Sequence, residues 1–301
     1  LPRICDYEGS KYRTDFWENQ NRQYEDQVER IAMKKLLPPQ GRRLLEVGAG
    51  FGRLVDLYDG YQQVIIHDYA RTQLEEARRF LGDDKRFVFV VADVYRMPFV
   101  DNLCDTLTMV RVMHHLADVP AALRELYRLV VPGGVAIVEH ASKLHLKSLL
   151  RRLLRQQSWS PFDQAPHEFV ELNFDFHPAW MRRQVEAAGF RLNNTLTVSH
   201  YRIDWLKRVV PTAWLVAMDG VAQSTGNWWQ LTPSLFLQLQ AQKTKPAKAG
   251  GFFKCPTCGS VDLPLPEDIV ERETVLRCGQ CGQGWLFSDG IFDFKNPLPA
   301  K

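Results

Sequence analysis

Between residues 43 and 140 the apolar positions fall into short β-branched runs separated by stretches of helical period. Arg43–Val47, Gln63–His67, Arg86–Val91, Thr106–Val110 and Val135–Glu139 read as strands, while Thr72–Leu81 and Val119–Val130 read as the helices between them. This alternation predicts an α/β fold with a parallel sheet covered on both faces. Leu192–Val198 and Leu235–Ala241 add two further strands, with Pro178–Ala188 as a helix ahead of the first. Seven strands result, most of them parallel.

The pattern lapses at Gln242–Gly251 (QKTKPAKAGG), which has no large apolar residue and reads as a tether. The predicted organisation is therefore a large domain over 1–242, a linker over 243–251 and a small domain over 252–301. No apolar run approaches the ~20 residues needed to cross a bilayer. The polar start, without an apolar stretch of signal-peptide type, gives the expectation of a cytoplasmic chain trimmed at its beginning.

Charge sharpens the division. Residues 252–301 hold five Lys/Arg against seven Asp/Glu, so the tail is −2 and the remainder +5. Neither part has the basic balance of a dedicated nucleic-acid binder. Four of the six cysteines form two CxxC pairs in the tail, a pattern of metal binding in a reducing compartment rather than a disulfide framework.

The main chemical signal is Glu46-Val47-Gly48-Ala49-Gly50-Phe51-Gly52, placed directly after a predicted strand and ahead of an expected helix over Arg53–Tyr58. Glycines there let the backbone approach a ligand, and a following helix N-terminus offers free N–H groups. A dinucleotide fingerprint would need its third glycine at position 53, which is Arg53. The ExGxGxG pattern instead resembles motif I of the class I S-adenosylmethionine-dependent methyltransferases, in the branch of the ubiquinone and menaquinone C-methyltransferases. The resemblance covers about residues 40–140 and implies a Rossmann-like sheet. It also implies that Gly48, Gly50 and Gly52 line the methionine part of the cofactor, with Glu46 near its ammonium group.

Asp68 matches the family's ribose-binding acid, with Tyr69 beside it, and a carboxylate's two acceptor oxygens suit a vicinal diol. Ala92-Asp93-Val94 followed by Met97-Pro98-Phe99 resembles the family's adenine-binding segment, placing Asp93 and Val94 at the base. Arg111 to Leu116 closes the fourth strand where the family places residues over the sulfonium and the acceptor, and Pro132-Gly133-Gly134 precedes the fifth strand. Upstream, Tyr24 takes the position of a covering aromatic.

Methyl transfer from a sulfonium needs mainly positioning. A general base assists some acceptors, and His114, His115 or His140 at the strand ends would serve. If His114 and His115 lie on an extended segment they face opposite ways, so at most one reaches the site. The Asn/Asp-Pro-Pro-aromatic segment of many amino-group methylases is absent. Past residue 140 the resemblance fades. Lys143, Lys147, Arg151 and Arg155 are spaced by four and share a helical face, and Leu146, Leu149, Leu150, Leu153 and Leu154 form another. A solvated basic face over a buried leucine stripe is the expectation, with contact to an anionic membrane, RNA or an acidic substrate as the alternative. Trp159, Phe162, Phe169, Phe174, Phe176 and Trp180 either close an apolar pocket or belong to the core.

Cys255-Pro256-Thr257-Cys258 and Cys278-Gly279-Gln280-Cys281 are separated by 19 residues, within the range for a structural zinc ribbon. The ending Trp285–Phe294 resembles the small ribbon proteins that activate methyltransferases as separate subunits. Its negative charge favours docking on the large domain or a protein partner over phosphate binding. A small-molecule or lipid acceptor is the leading expectation. The alternatives are an RNA or protein acceptor, with the ribbon recruiting it, and a non-catalytic cofactor-binding scaffold.

Overall fold

Neighbouring residues of the central strands enter different cores. Leu45, Ile65, Val90 and Ala136 pack on one side and Leu44, Val64, Phe89 and Ile137 on the other, the period-two burial of a sheet covered on both faces. The computed structural model describes residues 2–10, 13–18, 22–244, 251–264 and 273–300. Its first half runs α1 (Gln23–Leu36), β1 (Gly41–Val47), β2 (Tyr61–Asp68), α2 (Arg71–Leu81), β3 (Phe87–Val91), β4 (Cys104–Met109), α3 (Val119–Leu129) and β5 (Val130–Ala141). After these come α4 (Leu146–Leu153), a small hairpin of β6 (His167–Val170) and β7 (Asn173–Asp175), α5 (Pro178–Ala187), β8 (Phe190–Val198), α6 (Asp204–Val209), α7 (Thr212–Ala222) and β9 (Ser234–Ala241). The tail supplies β10 (Thr274–Arg277), β11 (Gly284–Ser288) and β12 (Ile291–Leu298).

The seven expected strands are present in the order β3-β2-β1-β4-β5-β9-β8, with only β9 antiparallel to its neighbours. Strand order reverses between β1 and β4, which opens a crevice at their C-terminal ends where open α/β sheets take ligands. The helices begin where local chemistry allows. Asp118 caps α3 through Ala121 N at 2.9 Å, ahead of Pro120, and His177 caps α5 through Ala179 N at 3.1 Å, ahead of Pro178.

The tail does more than dock. β12 runs parallel to β3, Ile291 against Phe89 and Asp293 against Val91, so β10 to β12 extend the sheet to ten strands. Phe253 lies 5.9 Å from Phe99 and 4.8 Å from both Phe292 and Phe294, which merges the tail's aromatic core with that of the large domain. The proposed linker over 243–251 falls largely on residues 245–250, outside the described ones.

Two expectations are corrected. Arg53–Tyr58 is not an α-helix; a ladder of tight turns leads into a short 3-10 turn at Val55–Leu57. Six residues before Asp59–Gly60 are too few to offset the cost of helix nucleation. The leucines of α4 are not a buried stripe. Leu146, Leu150, Leu153 and Leu154 are exposed and only Ser148 of α4 is buried, because the helix projects past the end of β5 instead of lying on the sheet. Among the described residues no helix is long and apolar enough to cross a membrane.

Candidate cofactor site and metal centre

The turn after β1 is held by β2, since the N–H groups of Gly48 and Ala49 both donate to the His67 carbonyl at 2.8 and 3.0 Å. Gly48, Gly50 and Gly52 have φ of +71°, +55° and +80°, the left-handed region that side chains disfavour. A Cβ on Gly48 would come within 2.1 Å of Val112 Cγ2. Asp68 then ties the turn to the next helix: Oδ2 accepts from Gly50 N at 2.8 Å and Oδ1 from Ala70 N at 2.9 Å. Burial raises the Asp68 carboxyl above its ordinary range, against the pull of these N–H groups.

Six of the ten predicted cofactor residues line one pocket at the strand ends: Gly48, Gly50, Asp68, Tyr69, Val94 and Arg111. The others stand behind it. Glu46 is buried under the turn with Oε2 unpartnered, and desolvation pushes its carboxyl up to about 7. Gly52 faces Leu81 and Val55. Asp93 accepts from Tyr95 N at 2.8 Å, an Asx turn that holds Val94 and Tyr95 in the pocket wall. Tyr24, expected over the cofactor, is instead fully buried. It donates to Asp219 Oδ2 at 2.6 Å and accepts from Tyr201 N at 2.9 Å, which fastens α1 to α7.

Arg111 is left-handed at φ +59°, an uncommon state for a side-chain residue. Its N–H donates to Glu139 Oε2 at 2.9 Å, its guanidinium pairs with Glu29, and Trp17 lies beneath that guanidinium with the ring centroid 5.1 Å away.

The expectation that His114 and His115 face apart is also corrected. Met113–His115 forms a 3-10 turn rather than a strand, and the two rings lie side by side, tilted by 45° with centroids 4.0 Å apart. His115 lines the pocket; its Nδ1 meets the Leu172 carbonyl at 2.9 Å and must donate, so Nε2 accepts from the Tyr7 hydroxyl at 3.1 Å. The Nδ1 of His114 is buried and unpartnered. Burial first, then the neighbouring His115, Arg111 and Arg202, hold it well below the ordinary imidazole range. His140 lies under the β5 end against Phe176, and burial lowers it to about 4. All three are neutral near pH 7.

The sequence did not reveal the N-terminal strap. Arg3, Ile4, Cys5 and Tyr7 line the same pocket. Glu8 accepts from the N–H groups of Arg71 and Thr72 at 2.7 and 3.1 Å, capping α2 from outside, and Lys295 of β12 pairs with Asp6 at 2.8 Å. Lys295 also sits 4.1 Å over the Tyr69 ring. The only available signal was Ile4, Cys5 and Tyr7 among polar neighbours, because a cap contributed by a residue more than sixty positions away leaves no local pattern.

The four tail cysteines converge, with all Sγ atoms within 4.8 Å of one another. Cys255 and Cys281 are 3.8 Å apart and Cys258 and Cys278 3.6 Å, far beyond a disulfide bond. Zinc–sulfur bonds of about 2.3 Å in a tetrahedron separate the sulfurs by roughly 3.8 Å, so the cluster fits that ion. Two matching knuckles build it: Gly259 N donates to Cys255 O and Gly282 N to Cys278 O, both at 2.9 Å.

Comparisons with known proteins agree with this geometry. A demethylmenaquinone methyltransferase of Clavibacter sepedonicus is 28% identical over 184 residues, 55% of this chain and 72% of that protein. A ubiquinone/menaquinone biosynthesis C-methyltransferase of Desulfotalea psychrophila is 31% identical over 109 residues, 35% of this chain and 44% of the relative. Two solved structures share the fold. One is the complex of the Haloferax volcanii Trm112 methyltransferase activator with a methyltransferase: TM-score 0.53, 17% identity, 77% of this chain and 93% of that one. The other is an S-adenosylmethionine-dependent methyltransferase from Listeria monocytogenes: TM-score 0.54, 14% identity, 73% and 99%. The family described as a methyltransferase domain matches residues 45–138, from inside β1 to inside β5. That span includes all four strand ends that form the pocket, and over these residues the chain is a methyltransferase domain.

Proposed function

We propose that the chain methylates an apolar small molecule or lipid, with residues 1–242 as the catalytic domain and 252–301 as a zinc ribbon docked on it in cis. The observation that carries this reading is the cluster of neutral rings at the ends of β4 and β5. His114, His115 and His140 are held neutral by burial, and Phe176 stacks between Phe174 and Trp180 at 6.2 and 5.4 Å. Such a surface suits an apolar acceptor and offers little to a polyanion. The relatives' names speak of demethylmenaquinone, of ubiquinone and menaquinone, and of cycloartenol.

Bound in the pocket, S-adenosylmethionine supplies an electrophilic methyl group on a sulfonium. On this reading Gly48 and Gly50 admit the methionine part and Asp68 accepts from the ribose hydroxyls. Val94 and Tyr95 flank the adenine, with Asp93 behind them holding their turn, and Arg111 borders the acceptor side. The strap residues Ile4, Cys5 and Tyr7 exclude water. With His115 committed to Leu172 and Tyr7, orientation rather than proton removal is its role. Cys255, Cys258, Cys278 and Cys281 would hold zinc with no open position, so the ion is structural.

The test is to incubate the protein with methyl-labelled cofactor and lysate of its source organism. Label that partitions into organic solvent is the expected result. Label removed by RNase or protease would overturn the reading in favour of a macromolecular acceptor.

A further inference from the structure

An exposed apolar surface beside α1 is not explained by the fold. α7 carries no charge except Asp219, which is buried, and its outward residues Ala213, Trp214, Ala217, Met218 and Val221 are all apolar. Trp214 is 70% and Val221 81% exposed. A helix apolar on its outward as well as its inward face expects an apolar neighbour. Leu215 fills the inward side, in the core with α1, so the outward face is surplus to the fold. The surface continues along the chain. α6 precedes α7 with Trp205 and Val209 exposed, and α7 leads through a 3-10 turn to Trp228, which is 87% exposed. Leu231, three residues on, accepts the N–H of Leu146 at 3.1 Å, which joins this stretch to the exposed leucines of α4.

Charge identifies the occupant. α4 and the residue after its cap carry Lys147, Arg151, Arg152 and Arg155 with no carboxylate, and α6 adds Arg208; Lys147, Arg151, Arg155 and Arg208 have no ion-pair partner among the described residues. We propose that α4, α6, α7 and Trp228 form a membrane-docking face that sits on an anionic bilayer surface without spanning it. Tryptophan, leucine and unpaired lysine or arginine on short amphipathic helices are the chemistry of that interface. Leu150, Leu153, Leu154, Val209 and Val221 set the tryptophans in an aliphatic surface, which acyl chains bury and a polyanion does not. A second copy is disfavoured because a two-fold interface would set this all-basic face of α4 against itself. α4 follows directly from β5, whose end carries His140 against Phe176. A lipid acceptor would therefore reach the site from the bilayer, an inference that rests on the acceptor reading above.

The experiment is flotation of the full chain with vesicles of phosphatidylcholine alone or with one quarter phosphatidylglycerol, without methyl transfer. Binding to the anionic vesicles, with a blue shift of tryptophan fluorescence and weakening in salt, is expected. K147E/R151E/R155E should lower that binding about a hundredfold, at roughly a tenfold loss per 1.4 kcal/mol and ~1 kcal/mol per basic residue before reversal of sign. W214D/W228D should abolish it, and cofactor binding retained by both variants shows that they fold. No flotation with either vesicle, or concentration-dependent dimerisation that the same variants remove, would overturn the proposal. Flotation together with RNase-sensitive methyl label would leave the docking face standing and sink only the lipid acceptor.

Discussion

The two flanks of the sheet treat apolar surface in opposite ways. At the β3 edge the tail seals its aromatic residues: Phe253, Trp285, Phe287, Phe292 and Phe294 are all buried, and β12 completes the strand pairing of β3. On the β5 side the segment from 141 to 233 leaves Leu153, Trp214 and Trp228 in solvent. The pocket lies between them, touched by the closed flank through Lys295 and bordered on the other side by His115. The closed flank stabilises and the open flank receives.

Removing the metal tests the closed flank most severely. A structural zinc site contributes on the order of 10 kcal/mol to the fold that it organises. Chelation, or Cys278→Ser, is expected to release one zinc per chain and to unfold β10 to β12, read as lost strand signal in circular dichroism and a lower melting temperature. An unchanged melt would show that the aromatic core alone holds the ribbon and would break the contrast.

Gly48→Ala should cost about 4 kcal/mol, from a disfavoured φ and a collision with Val112 that must repack. Cofactor binding by calorimetry is expected to fall more than a hundredfold. Leu153→Asp on the open flank should change stability by less than about 0.5 kcal/mol, and a comparable loss there would mean that α4 is packed after all.

These contrasts also explain what the sequence could convey. Gly48, Gly50 and Asp68 announce themselves because the turn admits few residue types and the spacing is local. The seven strands follow from period and β-branching. The strap is hidden because Glu8 caps a helix that begins 63 residues later, and Lys295 reaches Tyr69 from the far end of the chain. His114 and His115 were misplaced since an extended reading and a 3-10 turn differ by one hydrogen bond, His115 N to Val112 O. The leucines of α4 have the spacing of a core helix. Whether such a stripe is covered depends on what packs above it, which spacing does not encode.

Glu46 gives a fourth test, on protons. Its folded pKa of about 7 exceeds its ordinary 4.5, so the native state holds a proton that the unfolded chain has released. The burden is absent below pH 4.5 and complete above pH 7, and stability without cofactor should fall by about 3 kcal/mol across that window. Glu46→Gln should flatten this part of the pH profile. If the cofactor's ammonium lies near Glu46, binding will release a proton near pH 6.5, seen as a dependence of the calorimetric heat on the buffer's ionisation enthalpy.

The smallest expected effect on cofactor affinity decides whether the closed flank reaches the pocket. Lys295 joins β12 to Asp6 of the strap and to the face of Tyr69, and its side chain is only 17% exposed. Lys295→Ala removes two partly screened ion pairs, to Asp6 and Glu8, and one cation–π contact, together about 1 kcal/mol, without touching the zinc knuckles. Cofactor affinity should weaken about fivefold and dissociation should quicken, while the melt moves little. Lys295→Arg, which keeps the charge and the stacking, should recover most of it. A Kd unchanged in Lys295→Ala would reduce the ribbon to a brace. A weakened Kd would make it a contributor to cofactor retention, through a strap that only the folded chain brings together.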